Sequence, residues 1–174
     1  APGRGARAAL LDINGRMLAD LYAWVIDEET VLVETDAAAC DTLMATLEKY
    51  IIMERVEVED ARESLGLVTV QGVEAFEPIL EAMLEDIPPL EPFSVWRHGD
   101  GDDSVLVCAR DRTGHGGFDL YASPASAAAL PQSLGPAGTA DLSEAALETL
   151  RIEAGIAKWG HELTEGVIPL EANL

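Results

Sequence analysis

The dipeptide Asn14-Gly15, set between two apolar-rich stretches, constrains this chain more than any other short segment, because it commits the chain to an antiparallel hairpin. Residues 7–13 read as the first strand and 17–26 as the second. Asp27-Glu28-Glu29-Thr30 turns into a third strand, 31–34. Thr35-Asp36 supplies an N-cap for a helix over about 37–51, where Cys40, Leu43, Met44, Leu47, Tyr50 and Ile51 recur at helical spacing. Residues 56–59 and 65–70 read as strands, and 73–84 as an amphipathic stretch with Phe76, Ile79, Leu80, Met83 and Leu84 on one side. Pro78 requires that helix to kink or to begin only near Glu77. The proline-rich segment 86–92 is the best internal boundary. Residues 93–97 and 104–110 pair across the polar tip 98–103, 117–121 form another strand, and Ser123-Pro124 opens a short helix to about Leu130. Asp141-Leu142-Ser143 caps the last helix, which runs to about Ala154. Strand, helix, strand, strand, helix, strand is a split βαβ order, loosely repeated in the second half. The fold class is α+β, with a mostly antiparallel sheet and helices on one face.

At 174 residues with 48% apolar content, the chain can bury a core in one domain or two small subdomains. Eleven basic residues against 32 acidic ones give a formal charge of −21, which repels nucleic-acid phosphates and anionic lipid and excludes non-specific binding to either. Asp and Glu are spread along the chain, and only Lys49 and Lys158 are lysines. That pattern fits a folded protein from a high-salt cytoplasm, or an ordinary acidic cytosolic one. No apolar run reaches the roughly 18 residues needed to span a bilayer, and residues 1–11 carry no signal-peptide core. A soluble cytoplasmic protein is expected, with Cys40 and Cys108 as small, reduced core residues.

Common catalytic motifs are absent: there is no P-loop, nucleophile elbow, His-Glu-x-x-His or Cys-x-x-Cys. His98, His115 and His161 stand apart, so no metal site is expected. Asp100, Asp102, Asp103 and Asp111 invite a calcium-loop reading, but the sixth-position Gly and the terminal Glu are missing, which leaves a solvated hairpin tip. Gly3-Arg4-Gly5 precedes a strand and reads as a turn.

Three segments share an order found in one family. Residues 149–174 run Arg151-Ile-Glu153-Ala-Gly155, then Trp159-Gly160, then Pro169-Leu-Glu171-Ala. Residues 113–120 read Thr-Gly-His-Gly-Gly-Phe-Asp-Leu, and residues 15–21 read Gly-Arg-Met-Leu-Ala-Asp-Leu. Together they resemble the glycine cleavage T-protein (aminomethyltransferase) superfamily of folate-binding proteins, over nearly the whole of residues 4–174. The resemblance implies two intertwined ferredoxin-like units forming one domain over 1–174. It also implies either a fragment of the family's full length or a divergent short member, without the C-terminal barrel and the Lys-Gly-Cys-Tyr motif.

The site residues follow from the same resemblance. The family strand carries a carboxylate that holds the pterin ring of tetrahydrofolate, and Asp119 aligns with it; one carboxylate can accept two adjacent N–H donors. Alternation puts Tyr121 on the same face as Asp119 and opposite Phe118 and Leu120. The bland alternative is a strand Asp on a solvated face. Arg112 stands where T-proteins have a Tyr that contacts the pterin, and His115 where they have a Glu. Asp20 retains the second acid of a family Asp-Asp pair, one member of which assists the folate nitrogen during methylene transfer; Ala19 replaces the first. Arg151 lies where a helix Arg approaches the folate, whose glutamate carboxylates suit a guanidinium; the alternative is an ordinary surface pair with Glu148. Trp159 matches an aromatic position that stacks on a flat ring, or serves as a core anchor.

Gly-Arg-x-Leu-Ala-Asp-Leu, together with residues 50–60, points to the family branch associated with iron–sulfur cluster maintenance and tRNA modification. The first expectation is therefore a protein of that branch binding tetrahydrofolate or a one-carbon derivative, with iron–sulfur proteins as partners. The second is an aminomethyltransferase moving a methylene group to tetrahydrofolate from a lipoyl carrier protein. The third is a non-catalytic interaction module.

Overall fold

Asp12 decides how the first hairpin turns. Its carbonyl accepts from the Gly15 N–H at 3.1 Å, and its own N–H donates to the Arg16 carbonyl at 2.8 Å. Its carboxylate accepts from the N–H groups of Asn14 and Arg16, at 2.8 Å each. In this computed structural model the loop is therefore three residues, 13–15, with Gly15 at φ 78° and Asn14 outside the positive-φ region. That arrangement is a turn followed by a glycine bulge rather than a two-residue Asn-Gly turn, and the aspartate side chain stabilises it by occupying the loop's N–H groups.

The structure describes residues 1–83, 91–135, 138–172 and 174. In chain order the elements are β1 (Arg4–Leu11), β2 (Met17–Val25), β3 (Val31–Thr35), α1 (Ala37–Tyr50), β4 (Gly66–Gln71), α2 (Phe76–Met83), β5 (Val95–His98), β6 (Val105–Ala109), β7 (Gly117–Ala122), α3 (Pro124–Leu134) and α4 (Glu144–Glu153). Asp36 caps α1 by accepting from the Ala38 N–H, and Ser143 caps α4 by accepting from Ala146. Pro78 sits in the first turn of α2, where its missing N–H has no intrahelical partner to lose.

Three expectations need adjusting. Residues 56–59 form no strand: Val56 is 59% exposed, and alternation without a neighbouring strand to pair with does not make a ladder. Helix α3 continues past Pro131 to Leu134, whose burial anchors its last turn. The boundary expected at 86–92, like Leu84, falls largely outside the described residues.

The chain divides into two compact units, each assembled from three separate segments. The first comprises residues 1–5, 24–30 and 61–156. It contains an antiparallel sheet in the order β4-β7-β6-β5. Helices α2 and α3 pack on one face of this sheet: Ile79, Met83, Ala127 and Leu134 bury against Val70, Val105, Val107, Phe118, Leu120 and Ala122. Fully burying a Leu or Val side chain contributes about 1.5–3 kcal/mol, so this apolar layer supplies most of the unit's stabilisation. The second unit comprises residues 6–23, 31–60 and 157–174. Met17, Ala19, Tyr22, Ala39, Leu43 and Leu163 are its buried apolar residues. The α+β class with antiparallel sheets is as expected, and the interleaved segments match the expected intertwining. Cys40 and Cys108 are both free thiols.

Candidate functional site

Strand β7 is interior to its sheet, so its side chains are covered on either side by neighbours. Phe118 and Leu120 face the helices, and Asp119 and Tyr121 face away from them. Asp119 lies level with Thr69 on β4 and Cys108 on β6, and Tyr121 with Leu67 and Leu106. Asp119 is 0% exposed and Tyr121 7%. A solvated strand position is thereby ruled out for Asp119.

A carboxylate removed from water must be met by donors, and two arginines supply them. Arg112 approaches edge-on: Nε donates to Oδ1 at 2.9 Å and Nη2 to Oδ2 at 2.8 Å. This is the two-point fork in which guanidinium and carboxylate planes match. Arg110 Nη1 donates to Oδ2 at 3.4 Å. The centre thus brings two cationic groups to one buried anion in a chain that is otherwise strongly acidic.

The loop carrying both arginines is fixed by Gln71 at the end of β4. Gln71 Oε1 accepts from the Arg112 N–H at 2.8 Å, while Nε2 donates to the Arg110 carbonyl at 3.2 Å and to Thr69 Oγ1 at 2.7 Å. Gly117 makes room for this amide, since a Cβ there would lie 2.2 Å from Gln71 Oε1. Asp111 closes the loop from its other end, accepting from the N–H groups of Thr113 at 2.8 Å and Gly114 at 2.7 Å. Partial desolvation opposes the Asp111 charge, but backbone donors from Thr113, Gly116 and Gly114 outweigh it and lower the carboxyl pKa.

Arg151 is buried rather than on the surface. It donates to Glu148 through Nε at 3.0 Å, and through Nη1 to the carbonyl of Ile156. Gly155, at φ 69°, ends α4 in a left-handed turn: its N–H donates to the Ile152 carbonyl, and that of Ile156 to the Arg151 carbonyl, at 3.0 Å each. Arg151 therefore clasps the helix terminus that its own backbone helps to cap.

In the second unit, Asp20 on β2 meets the same kind of fork. Arg7 Nε donates to Oδ1 at 3.0 Å and Nη2 to Oδ2 at 2.9 Å, with the Asp20 side chain 11% exposed. Arg7 also donates to the Ala157 carbonyl at 3.2 Å and lies 5.7 Å from the Tyr22 ring centroid. Burial opposes the Arg7 charge, but Asp20 and Tyr22 more than offset it and raise its pKa. Ala19, beside Asp20, is 0% exposed. Trp159 is half-buried and edges a cavity of about 230 Å³, lined also by Leu18, Ala38, Thr42, Thr164 and Glu165.

The nominated residues therefore fall into separate groups. Asp119, Arg112 and Tyr121 share the face of one sheet, Arg151 clasps a helix end in the same unit, and Asp20 and Trp159 belong to the other. Sequence reasoning missed Arg7, Arg110 and Gln71. Counting back from the Asp12–Arg16 closure sets residue 7 level with Leu21, so strand alternation alone does not pair Arg7 with Asp20. Arg110 shares the parity of Arg112, but nothing local marks Gln71, whose role exists only once β4 and β7 pair. Among the described residues no cluster of His, Cys, Asp and Glu is gathered as a metal site would need. No helix among them is long and apolar enough to cross a membrane.

The family described as the GCVT N-terminal domain matches residues 1–174. An aminomethyltransferase of Saccharopolyspora erythraea is 30% identical over 176 residues, covering 99% of this chain and 48% of that protein. One from Cutibacterium acnes is 32% identical over 185 residues, covering 100% of this chain and 50% of that protein. The chain spans about half the length of the curated relatives it matches. Among solved structures, the glycine cleavage system aminomethyltransferase T from Bartonella henselae superposes with a TM-score of 0.82 at 23% identity, covering 97% of this chain and 45% of that one. At that identity the likeness is one of fold.

Proposed function

This chain belongs to the GCVT N-terminal domain family, and from that premise we propose that it is the tetrahydrofolate-binding part of an aminomethyltransferase of the glycine-cleavage type. The observation that carries the reading is the Asp119 carboxylate: fully buried, on an interior strand, and met edge-on by a planar pair of N–H donors. The pyrimidine edge of a pterin presents the same arrangement, two N–H donors on one carbon. Tyr121 shares that face and would border the ring. Trp159 offers an aromatic surface to a flat ligand in the cavity it edges. Arg151, already met by Glu148, would take part by exchanging that partner for a ligand carboxylate or by positioning the end of α4.

In this reading the protein accepts a methylene group onto tetrahydrofolate from an aminomethyl group on a lipoyl carrier protein, with release of ammonia. Both oxygens of Asp20 are engaged by Arg7, so any part it takes in the transfer would be that of a fixed charge rather than of a proton carrier. The relatives named aminomethyltransferase favour this reading over the iron–sulfur and tRNA-modification branch.

One observation favours that branch as a second reading. Ala19 stands where the family's first acid would be, it is fully buried, and strand alternation directs it away from the face of Asp20. Asp20 cannot then substitute for an acid at that position. Titration with 5-formyltetrahydrofolate tests what both readings share: Asp119→Asn should weaken binding, and equal affinities would remove Asp119 from the site.

A further inference from the structure

We infer that Arg112 is an internal occupant of the Asp119 acceptor edge and determines which ligands gain entry there: a donor-pair ligand binds by displacing its guanidinium. The inference rests on the reading of Asp119 as the pterin acceptor. Arg112 reaches the carboxylate through Nε and Nη2, two N–H groups flanking one planar carbon. A pterin would present its ring N–H and its amino group, likewise flanking one planar carbon. The two donor pairs need the same carboxylate edge, so they exclude each other.

The surroundings suit an exchange. Arg112 is held by its backbone, through the Gln71 amide, while its side chain is 22% exposed against 0% for Asp119. Its long stem can therefore swing the head into solvent without unfolding the loop. Arg110 stays beside Oδ2 at 3.4 Å, so a neutral ligand entering at Asp119 leaves the carboxylate with one cationic partner rather than as an uncompensated buried charge.

The exchange carries a penalty. Both forks fall on the same carboxylate, but the guanidinium adds the attraction of opposite charges, so a neutral pterin competes at a disadvantage, and its apparent affinity scales with the fraction of molecules in which Arg112 has moved away. A tyrosine at this position, as the T-protein pattern has, could not mimic the ligand in this way. Arg112 therefore makes the site a weak binder of neutral ligands lacking a two-donor edge.

The test is a titration of the full chain with 5-formyltetrahydrofolate, with thermal melts to establish that each variant is folded. Arg112→Ala should bind about tenfold more tightly than wild type, the factor expected when a competing fork is removed. Arg112→Lys should also tighten binding, because an ammonium keeps the charge but cannot cover both oxygens; if the alanine variant does not fold, this variant decides alone. Asp119→Asn should weaken binding in both the wild-type and the Arg112→Lys backgrounds. Unchanged or weaker binding by the Arg112 variants, with Asp119→Asn still weakening it, overturns the inference and leaves the folate reading standing. Indifference to Asp119→Asn in both backgrounds removes the folate reading and the inference with it.

Discussion

Asp119 and Asp20 are both nominated by a family pattern, and both are met by a guanidinium fork: Arg112 with Arg110 at the first, Arg7 at the second. Such pairs serve the fold as well as any ligand. Removing one partner of a buried ion pair costs about 3–5 kcal/mol, because the other charge is left uncompensated. Conservative substitutions are therefore the informative ones. For Asp20, Asp20→Asn keeps the shape and one acceptor oxygen while removing the charge. If Asp20 stabilises positive charge at the folate nitrogen, this variant should release ammonia from an aminomethyl-lipoyl carrier more slowly by about 10²-fold or more, with folate affinity little changed. A rate equal to wild type would take Asp20 out of the transfer step and favour the second reading.

The element that presents Arg110 and Arg112 is a short loop whose conformation depends on Asp111. Its carboxyl pKa lies below the ordinary aspartate value because backbone N–H groups stabilise the charged form against partial desolvation. A folded-state pKa lower than the unfolded one means that the folded loop binds fewer protons. The stabilisation is complete above the ordinary aspartate range and is lost as pH falls through the lowered value. Amide exchange at Thr113 and Gly114, corrected for intrinsic rates, should accelerate only in that acidic window, and Asp111→Asn should abolish the pH dependence. Protection that fell already near neutral pH would assign it to another group.

Much of this level was legible in the sequence. Asp36 and Ser143 announce α1 and α4, and Gly155 ends α4 where the pattern breaks. The first hairpin was legible in place but not in type, because the Asn-Gly signal is local and the carboxylate of Asp12 overrides it. Residues 56–59 alternate as a strand should, yet alternation records only which side chains are apolar. It cannot supply a pairing partner.

For the molecule as a whole, the charge of −21 sets the conditions under which these centres hold together. Self-repulsion among 32 acidic residues opposes compaction and is screened as the Debye length falls from about 10 Å at 0.1 M salt to about 3 Å at 1 M. The melting temperature should therefore rise with KCl across that range, as expected of a chain suited to high salt. A flat or falling profile would show that the repulsion is already offset locally. The fold class and the position of Asp119 could be read from the chain, since alternation and family order are linear signals. The arginine forks could not. They depend on a loop held by Gln71 from a distant strand and on a carboxylate whose burial no composition reveals.

The most direct measurement is the calorimetric affinity for 5-formyltetrahydrofolate of wild type against Asp119→Asn, both confirmed as folded. A carboxylate that accepts two donors from the pterin predicts a loss of about tenfold or more on substitution, since hydrogen bonds to a charged group contribute about 1.5–3 kcal/mol. Identical affinities for the two proteins would contradict the account.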